Sequence, residues 1–173
     1  MIFILIILTA VITLYLLAIM PRMTHKPDKA PFCGVMYAHR GLHDNRGDAP
    51  ENSMKAFERA VENNFGIELD VQLSKDNVPV IFHDFTLERV CGKKGKVRDY
   101  SYGELREFSL YGTEEKIPRM EDFLKMVNGR VPLIVELKVE WTDVSVCPAA
   151  DRLLQDYKGT YCIESFNPMV LLW

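Results

Sequence analysis

Paired cysteines are absent from this chain of 173 residues. No Cys-x-x-Cys pair occurs, which argues against a zinc site. The cysteines lie far apart in the sequence, and their spacing gives no support for a disulfide framework. A strong excess of basic residues is absent too, since the formal net charge is −3. The composition therefore gives no general attraction to nucleic acid. The four cysteines are Cys33, Cys91, Cys147 and Cys162.

Charged side chains are also missing from the first twenty residues. An apolar run of roughly 20 residues is long enough for a helix to span a bilayer. A secretory signal peptide is the alternative, but no Lys or Arg precedes the run, which exceeds the usual core of about 7–15 residues. We therefore predict a transmembrane helix over residues 1–20, a polar linker over 21–32 and one domain over 33–173. Basic residues follow the span, so we expect a single-pass membrane protein with a cytoplasmic domain.

The domain alternates between strand-like and helix-like patterns. Its first strand is followed by a turn-rich loop and by a helix over 54–63, which Asn52 or Ser53 can cap. The next strand begins at Gly66, and this strand–helix–strand order implies a parallel pair with a right-handed crossover. Residues 86–98 read as irregular chain. The predicted strands lie near 34–39, 67–73, 78–82, 132–139 and 161–165, and further helices near 101–108, 118–127, 144–157 and from 169.

A pair of carboxylates stands out on the second strand. Residues 67–73 alternate between apolar and polar, so Glu68 and Asp70 point to the same face. Two carboxylates that share a buried face repel each other and lose hydration. A hard divalent cation, Mg²⁺ or Ca²⁺, would offset that cost with oxygen ligands. The alternative is an amphipathic strand whose wet face carries Glu68, Asp70 and Gln72.

Polar groups recur where each predicted strand finishes. In parallel α/β folds the carboxyl ends of the strands gather on one side, where active sites lie. A lone histidine is more often structural, but convergence from four segments favours a site. The converging side chains are His39, Arg40, Glu68, Asp70, His83, Glu136 and Lys138.

These motifs, taken together and in order, strongly resemble the glycerophosphodiester phosphodiesterase family. They are His39-Arg-Gly, Pro50-Glu-Asn-Ser, Glu68-Leu-Asp, Val80-Ile-Phe-His-Asp and Val135-Glu-Leu-Lys. The resemblance covers roughly residues 35–168 and implies a TIM barrel, a (β/α)8 fold, with a small insertion after the third strand. Ser53 departs from the family pattern, where threonine is common, but should still cap a helix.

The resemblance also implies an activity and a set of residue roles. The family hydrolyses glycerophosphodiesters to glycerol 3-phosphate and an alcohol with a divalent metal, so the partner is a small or lipid-derived phosphodiester. By resemblance, the acid/base pair is His39 and His83, the metal ligands are Glu68, Asp70 and Glu136, Arg40 and Lys138 hold the phosphate, and Glu51 supports the site near the metal and substrate hydroxyls.

Three alternatives or complications accompany this interpretation. A sphingomyelinase D-like lyase shares the two-histidine plan and would form a cyclic phosphate. A catalytically silent, membrane-anchored phosphodiester-binding protein is a second alternative, against which the presence of every matched polar residue argues. The strand count adds an expectation of C-terminal incompleteness, because we count five strands whereas a TIM barrel needs eight and about 250 residues.

Overall fold

The computed structural model describes residues 2–20 and 26–173, which separate into an N-terminal unit ending at Ala30 and a second unit, Pro31–Trp173. In the N-terminal unit, helix α1 runs over Ile2–Ile19. Among the described residues, no helix is long and apolar enough to cross a membrane, which corrects the predicted transmembrane helix over 1–20. The 18 residues of α1 lie at the short end of the roughly 17–25 that a spanning helix needs.

The predicted linker over 21–32 is described only in part, since residues 21–25 lie outside the described residues. Its end forms a 3-10 turn, Ala30–Phe32. The predicted cytoplasmic location depended on charges that flank the N-terminal helix, some of which also lie outside the described residues. That location stays a prediction.

A five-stranded sheet forms the centre of the second unit. Its hydrogen-bonded path runs β1-β2-β4-β5, and all neighbours on that path are parallel. β2 is buried along its whole length, which fits a central strand of a parallel sheet. The five strands lie where the sequence predicts them: β1 Tyr37–His39, β2 Gly66–Leu73, β3 Pro79–Ile81, β4 Leu133–Leu137 and β5 Tyr161–Glu164.

The direction of β3 corrects the expectation, implied by the resemblance to a TIM barrel, that the strands run parallel. β3 pairs antiparallel with β2, so that Ile81 lies opposite Val71. The physical reason is the short connection between them, because a parallel crossover needs a dozen or more residues whereas a hairpin needs only a tight turn. The hairpin brings the chain back beside β2, where the backbone N–H of Phe82 donates to the carbonyl of Asp70 at 2.9 Å.

Helices cover the sheet and create the main hydrophobic core. Ser53 caps α2, because its Oγ accepts the backbone N–H of Ala56 at 3.1 Å, as predicted. Phe57 of α2 packs edge-on against Phe123 of α5, with ring centroids 4.6 Å apart. The longer helices match the predicted positions: α2 Met54–Glu62, α5 Met120–Val127, α6 Val146–Asp156 and α7 Pro168–Leu172.

Residues 86–116 are here called the insertion, and its first part, 86–98, is more ordered than the sequence predicts. They contain α3, Glu88–Cys91, a 3-10 turn, Val97–Asp99, and α4, Tyr102–Leu105. The four-residue α3 and the three-residue 3-10 turn are too short to show a hydrophobic period, so residues 86–98 read as irregular chain. The helix predicted near 101–108 is confirmed by α4. A second hydrophobic core ties the insertion to β3: Val80, Phe82, Leu87, Val90, Val97, Leu105, Leu110 and Ile117.

Candidate active site

Three carboxylates from two neighbouring strands meet at the carboxyl ends of the sheet. Glu68 and Asp70 lie on β2, and Glu136 lies on β4 directly opposite Asp70 in the parallel register. All three residues are buried, with exposed fractions of 6%, 0% and 6%. One oxygen from each lies within 4.8 Å of the other two. We call these residues the acidic triad, and their burial shows that the alternative of a wet strand face is wrong.

The acidic triad carries more negative charge than its surroundings accommodate. Burial, together with the charge of Asp70, raises the pKa of Glu68 to about 7, although a hydrogen bond from the backbone of Arg40 opposes the shift. Burial also raises the pKa of Glu136, opposed by the hydrogen bond from Lys138. Asp70 Oδ1 is buried and has no hydrogen-bond partner among the described residues. Three oxygen donors with an unpartnered buried oxygen fit a hard divalent cation.

Two basic side chains border the triad. Lys138 Nζ lies 2.9 Å from Glu136 Oε1 and 3.5 Å from Asp70 Oδ1, and Arg40 Nε lies 3.5 Å from Asp70 Oδ2. Arg40 has the left-handed backbone, φ 57°, and its N–H donates to Glu68 Oε2 at 2.9 Å. The following Gly41 has φ +81°, and a Cβ there would lie 2.9 Å from Ala56. The His-Arg-Gly motif is therefore a tight turn that aims Arg40 at the acids.

The two predicted histidines reach this end of the sheet by different routes. His39 ends β1, and its Nε2 lies 3.8 Å from Glu68 Oε2, with 68% of the side chain exposed. Burial and the charge of Arg40 lower the pKa of His39. His83 follows the β3 hairpin, and its Nδ1 lies 2.6 Å from Asp84 Oδ1.

The partner of His83 selects its tautomer. Hydrogen bonds from Arg89 hold the pKa of Asp84 at about 2, so its carboxylate is ionised near neutral pH and can only accept. Nδ1 of His83 must then carry the proton, and Nε2 is the basic atom of the neutral ring.

Glu51 lies outside the acidic triad. It is 5% exposed and accepts hydrogen bonds from Arg40 Nη1 at 3.0 Å, Asn45 Nδ2 at 2.9 Å and Arg89 Nη2 at 2.6 Å. Burial favours a higher pKa, but the hydrogen bonds from Arg89 and Asn45 outweigh it and lower the pKa of Glu51 to about 2. The structure therefore places Glu51 behind Arg40, as an anion whose oxygens are occupied by donors of the protein.

Sequence reasoning missed several polar residues of the site. Asn52, considered only as a cap, donates from Nδ2 to Asp70 Oδ2 at 2.8 Å, and its φ is 56°. Gln72, assigned to a wet face in the alternative reading, donates to the carbonyls of Phe82 and Asp84, both at 2.7 Å. Its position two residues after Asp70 was an available signal, since it shares that face of the strand. Arg89 and Tyr111 of the insertion gave no local signal.

Comparison with known proteins identifies the family. The family described as "Glycerophosphoryl diester phosphodiesterase family" matches residues 39–161. A curated glycerophosphodiester phosphodiesterase of Bacillus altitudinis is 40% identical over 114 residues, which cover 61% of this chain and 44% of the relative. The glycerophosphodiester phosphodiesterase of Caldanaerobacter subterraneus subsp. tengcongensis is 35% identical over 145 residues, which cover 77% and 58%.

Solved structures support the TIM-barrel-like α/β fold. An Oleispira antarctica phosphodiesterase in complex with the product sn-glycerol-3-phosphate superposes with a TM-score of 0.73 at 28% identity, over 82% of this chain and 61% of that one. The chain spans about half the length of the curated relatives it matches. With the family match over residues 39–161, these likenesses show that the chain belongs to the glycerophosphoryl diester phosphodiesterase family.

Proposed function

We propose that this site carries out metal-dependent hydrolysis of glycerophosphodiesters to glycerol 3-phosphate and an alcohol. The observation that carries the proposal is the acidic triad, three buried carboxylates that face Arg40 and Lys138. A cluster of that kind is costly in a protein unless it serves a charged ligand. The names of the relatives and the product seen in the Oleispira antarctica phosphodiesterase support the substrate class.

The divalent metal would be held by the acidic triad. Carboxylate oxygens are the ligands that Mg²⁺ and Ca²⁺ prefer, and Asp70 Oδ1 has no competing hydrogen bond among the described residues. A cation bound there supplies positive charge against the negative charge that a phosphodiester gains on the way to its transition state.

The basic side chains of the chain itself would bind the phosphate. Arg40 presents a planar guanidinium and Lys138 a compact ammonium, both next to the triad. The side chains are only 17% and 11% exposed, so little water competes for their donors. Charged donors in such a site favour the developing negative charge more than they would in water.

The two histidines would perform the proton transfers. One histidine removes a proton from the nucleophile, and the other donates a proton to the leaving alkoxide. His83 is held with the proton on Nδ1 by Asp84, while His39 lies against Glu68. Attack by water gives glycerol 3-phosphate directly, and incorporation of oxygen from ¹⁸O-labelled water distinguishes hydrolysis from the cyclising lyase reaction.

An activity assay on the purified 173-residue chain tests the proposal. Glycerol 3-phosphate release from glycerophosphocholine should stop with EDTA and return with Mg²⁺ or Ca²⁺. The Glu136→Gln variant should be inactive, while the exposed Glu58→Gln on α2 serves as the matched control and should keep wild-type turnover. Turnover that resists EDTA, or an active Glu136→Gln variant, would contradict the assignment of the metal site.

A further inference from the structure

Arg89 joins two carboxylates that come from distant parts of the chain. It lies in α3 of the insertion. Its Nε and Nη2 lie 2.6 and 2.9 Å from the two oxygens of Asp84, which follows the β3 hairpin. Its Nη2 and Nη1 also lie 2.6 and 3.2 Å from the two oxygens of Glu51, which precedes α2. The planar guanidinium therefore contacts two carboxylates at once, a geometry that suits arginine and that lysine cannot reproduce.

Each of these carboxylates holds a side chain of the proposed site. Asp84 Oδ1 lies 2.6 Å from Nδ1 of His83, and Glu51 Oε1 lies 3.0 Å from Nη1 of Arg40. Arg89 is thus linked through Asp84 to the imidazole of His83, the proposed acid/base. It is linked through Glu51 to the guanidinium of Arg40, which is proposed to bind the phosphate. None of the other insertion side chains described contacts both carboxylates, although Tyr111 contacts Arg89 and Glu51.

Charge explains why a cation is needed between Glu51 and Asp84. Glu51 and Asp84 both have a pKa of about 2, and Arg89 is a main cause in each case. Glu51 is 5% exposed, and without Arg89 its remaining cationic partner among the described residues would be Arg40. Asp84 would lose a bidentate partner and become free to rotate away from His83. The arrangement of two functional side chains therefore depends on one guanidinium.

We propose that Arg89 is a positioning residue of this site, which fixes His83 through Asp84 and Arg40 through Glu51. The inference rests on the proposed function. Through Asp84, Arg89 keeps the Nδ1-protonated tautomer of His83, and through Glu51 it keeps the guanidinium of Arg40 directed at Asp70. The insertion thereby takes part in assembling a site whose other groups lie on the sheet.

A purely structural role for Arg89, as an anchor of the insertion, predicts something different. It predicts lower stability in an Arg89 variant but an unchanged tautomer of His83 in the molecules that remain folded. The tautomer is therefore the discriminating quantity. It can be read from the ¹⁵N shifts of the imidazole, and the His83 signal is assigned by its loss in His83→Gln.

The experiment compares three variants with the wild type in the full 173-residue chain. Arg89→Met removes the guanidinium, and Arg89→Lys keeps the charge but lacks the planar fork. Arg106→Met is the matched control, because Arg106 also lies in the insertion but is 64% exposed, and within the part of the chain that the structure describes its one ion pair is with Glu107. Wild type and control should show the Nδ1-protonated ring, whereas both Arg89 variants should shift toward the Nε2-protonated form. Turnover should fall about 10–100-fold in Arg89→Met, the usual range for residues that orient functional ligands.

The possible outcomes separate the two proposals. If Arg89→Met does not fold, Arg89→Lys decides through the same two readouts. Either an unchanged His83 tautomer in a folded Arg89 variant, or turnover within about twofold of Arg106→Met, would overturn the positioning role. If the wild type releases no glycerol 3-phosphate, the proposed function fails, but the tautomer comparison still decides whether Arg89 sets the state of His83.

Discussion

Two groups of buried or half-buried carboxylates lie side by side in this molecule and behave in opposite ways. The acidic triad includes Glu68, whose pKa burial raises to about 7. Glu51 and Asp84, here called the arginine-paired carboxylates, have pKa values of about 2. Burial by itself disfavours the charged form in both groups. The difference lies in the partners, since arginine and asparagine donors satisfy the second group.

The contrast indicates different purposes for the two groups. The arginine-paired carboxylates already have their cations and can only hold neighbouring side chains in place. The acidic triad has two cationic neighbours, Arg40 and Lys138, for three acids, and Asp70 Oδ1 has no hydrogen bond among the described residues. A further cation is therefore expected only at the triad.

Each group also has a histidine beside it, which gives the prediction with the largest effect. His39 lies against Glu68 of the triad, and His83 lies against Asp84. His39→Ala and His83→Ala should each lower turnover by roughly 10²–10⁴, the span for a positioned acid or base. His43→Ala, exposed in the neighbouring loop, is the control in steady-state assays. Near-normal turnover in either variant would mean that the other histidine alone takes part in proton transfer.

Metal binding should stabilise the protein through the triad. A cation at about 100 times its Kd adds about 2.7 kcal/mol to the free energy of unfolding. Glu68→Gln should lose most of that gain, yet cost little in the metal-free chain, because the high pKa shows that the charge of Glu68 is already disfavoured there. Thermal unfolding with and without Mg²⁺ or Ca²⁺ measures both effects. If metal raised the melting temperature of Glu68→Gln as much as that of the wild type, the contrast between the two groups of carboxylates would be wrong.

The matching substitution among the arginine-paired carboxylates, Glu51→Gln, should destabilise the metal-free chain, whereas Glu68→Gln should not. Glu51→Gln leaves Arg40 and Arg89 facing a neutral amide and should lower the free energy of unfolding by about 1–3 kcal/mol without metal. Urea denaturation of Glu51→Gln and Glu68→Gln, side by side, checks the sign of the difference. Should Glu51→Gln prove no more costly than Glu68→Gln, the contrast in partners would not explain the contrast in pKa.

Acid should gradually remove the stability that the arginine-paired carboxylates contribute. Their folded pKa values of about 2 lie below the ordinary values of 4.5 for Glu51 and 3.8 for Asp84. A depressed folded pKa adds stability above the ordinary value, and that stability is lost as the pH falls toward 2. Melting temperatures between pH 5 and pH 2 should decline less steeply in Arg89→Met than in the wild type. Parallel curves would contradict the role assigned to Arg89.

Much of the fold could be predicted because its elements carry a clear period. The seven residues 67–73 of β2 alternate between apolar and polar, and α2 has its apolar residues on one side, so both can be placed within a residue or two of their observed bounds. The antiparallel direction of β3 could have been predicted from the short connection after Leu73. α3 has four residues, which is too few for a period to appear, whereas α4 was predicted near 101–108.

The residues of the site also fall into those that a local sequence pattern predicts and those that it does not. Glu68 and Asp70 follow from strand alternation, and His39 follows from the carboxyl end of a parallel strand. His83 reaches the site through the β3 hairpin instead. The Arg89 contacts could not be predicted, because its partner Glu51 is 38 residues away and no local pattern records such a pairing. Asn52 illustrates a second reason, since the sequence indicated a cap whereas its left-handed backbone, φ 56°, directs it to Asp70.

Calorimetric titration of the 173-residue chain with Mg²⁺ and with Ca²⁺ tests the central claim most directly. We expect one binding event per chain, at least tenfold weaker in Glu68→Gln and Glu136→Gln and unchanged in Glu58→Gln. Binding that persists at full strength in both triad variants, or no binding by the wild type to either ion, would contradict the claim that the acidic triad is a divalent-metal site.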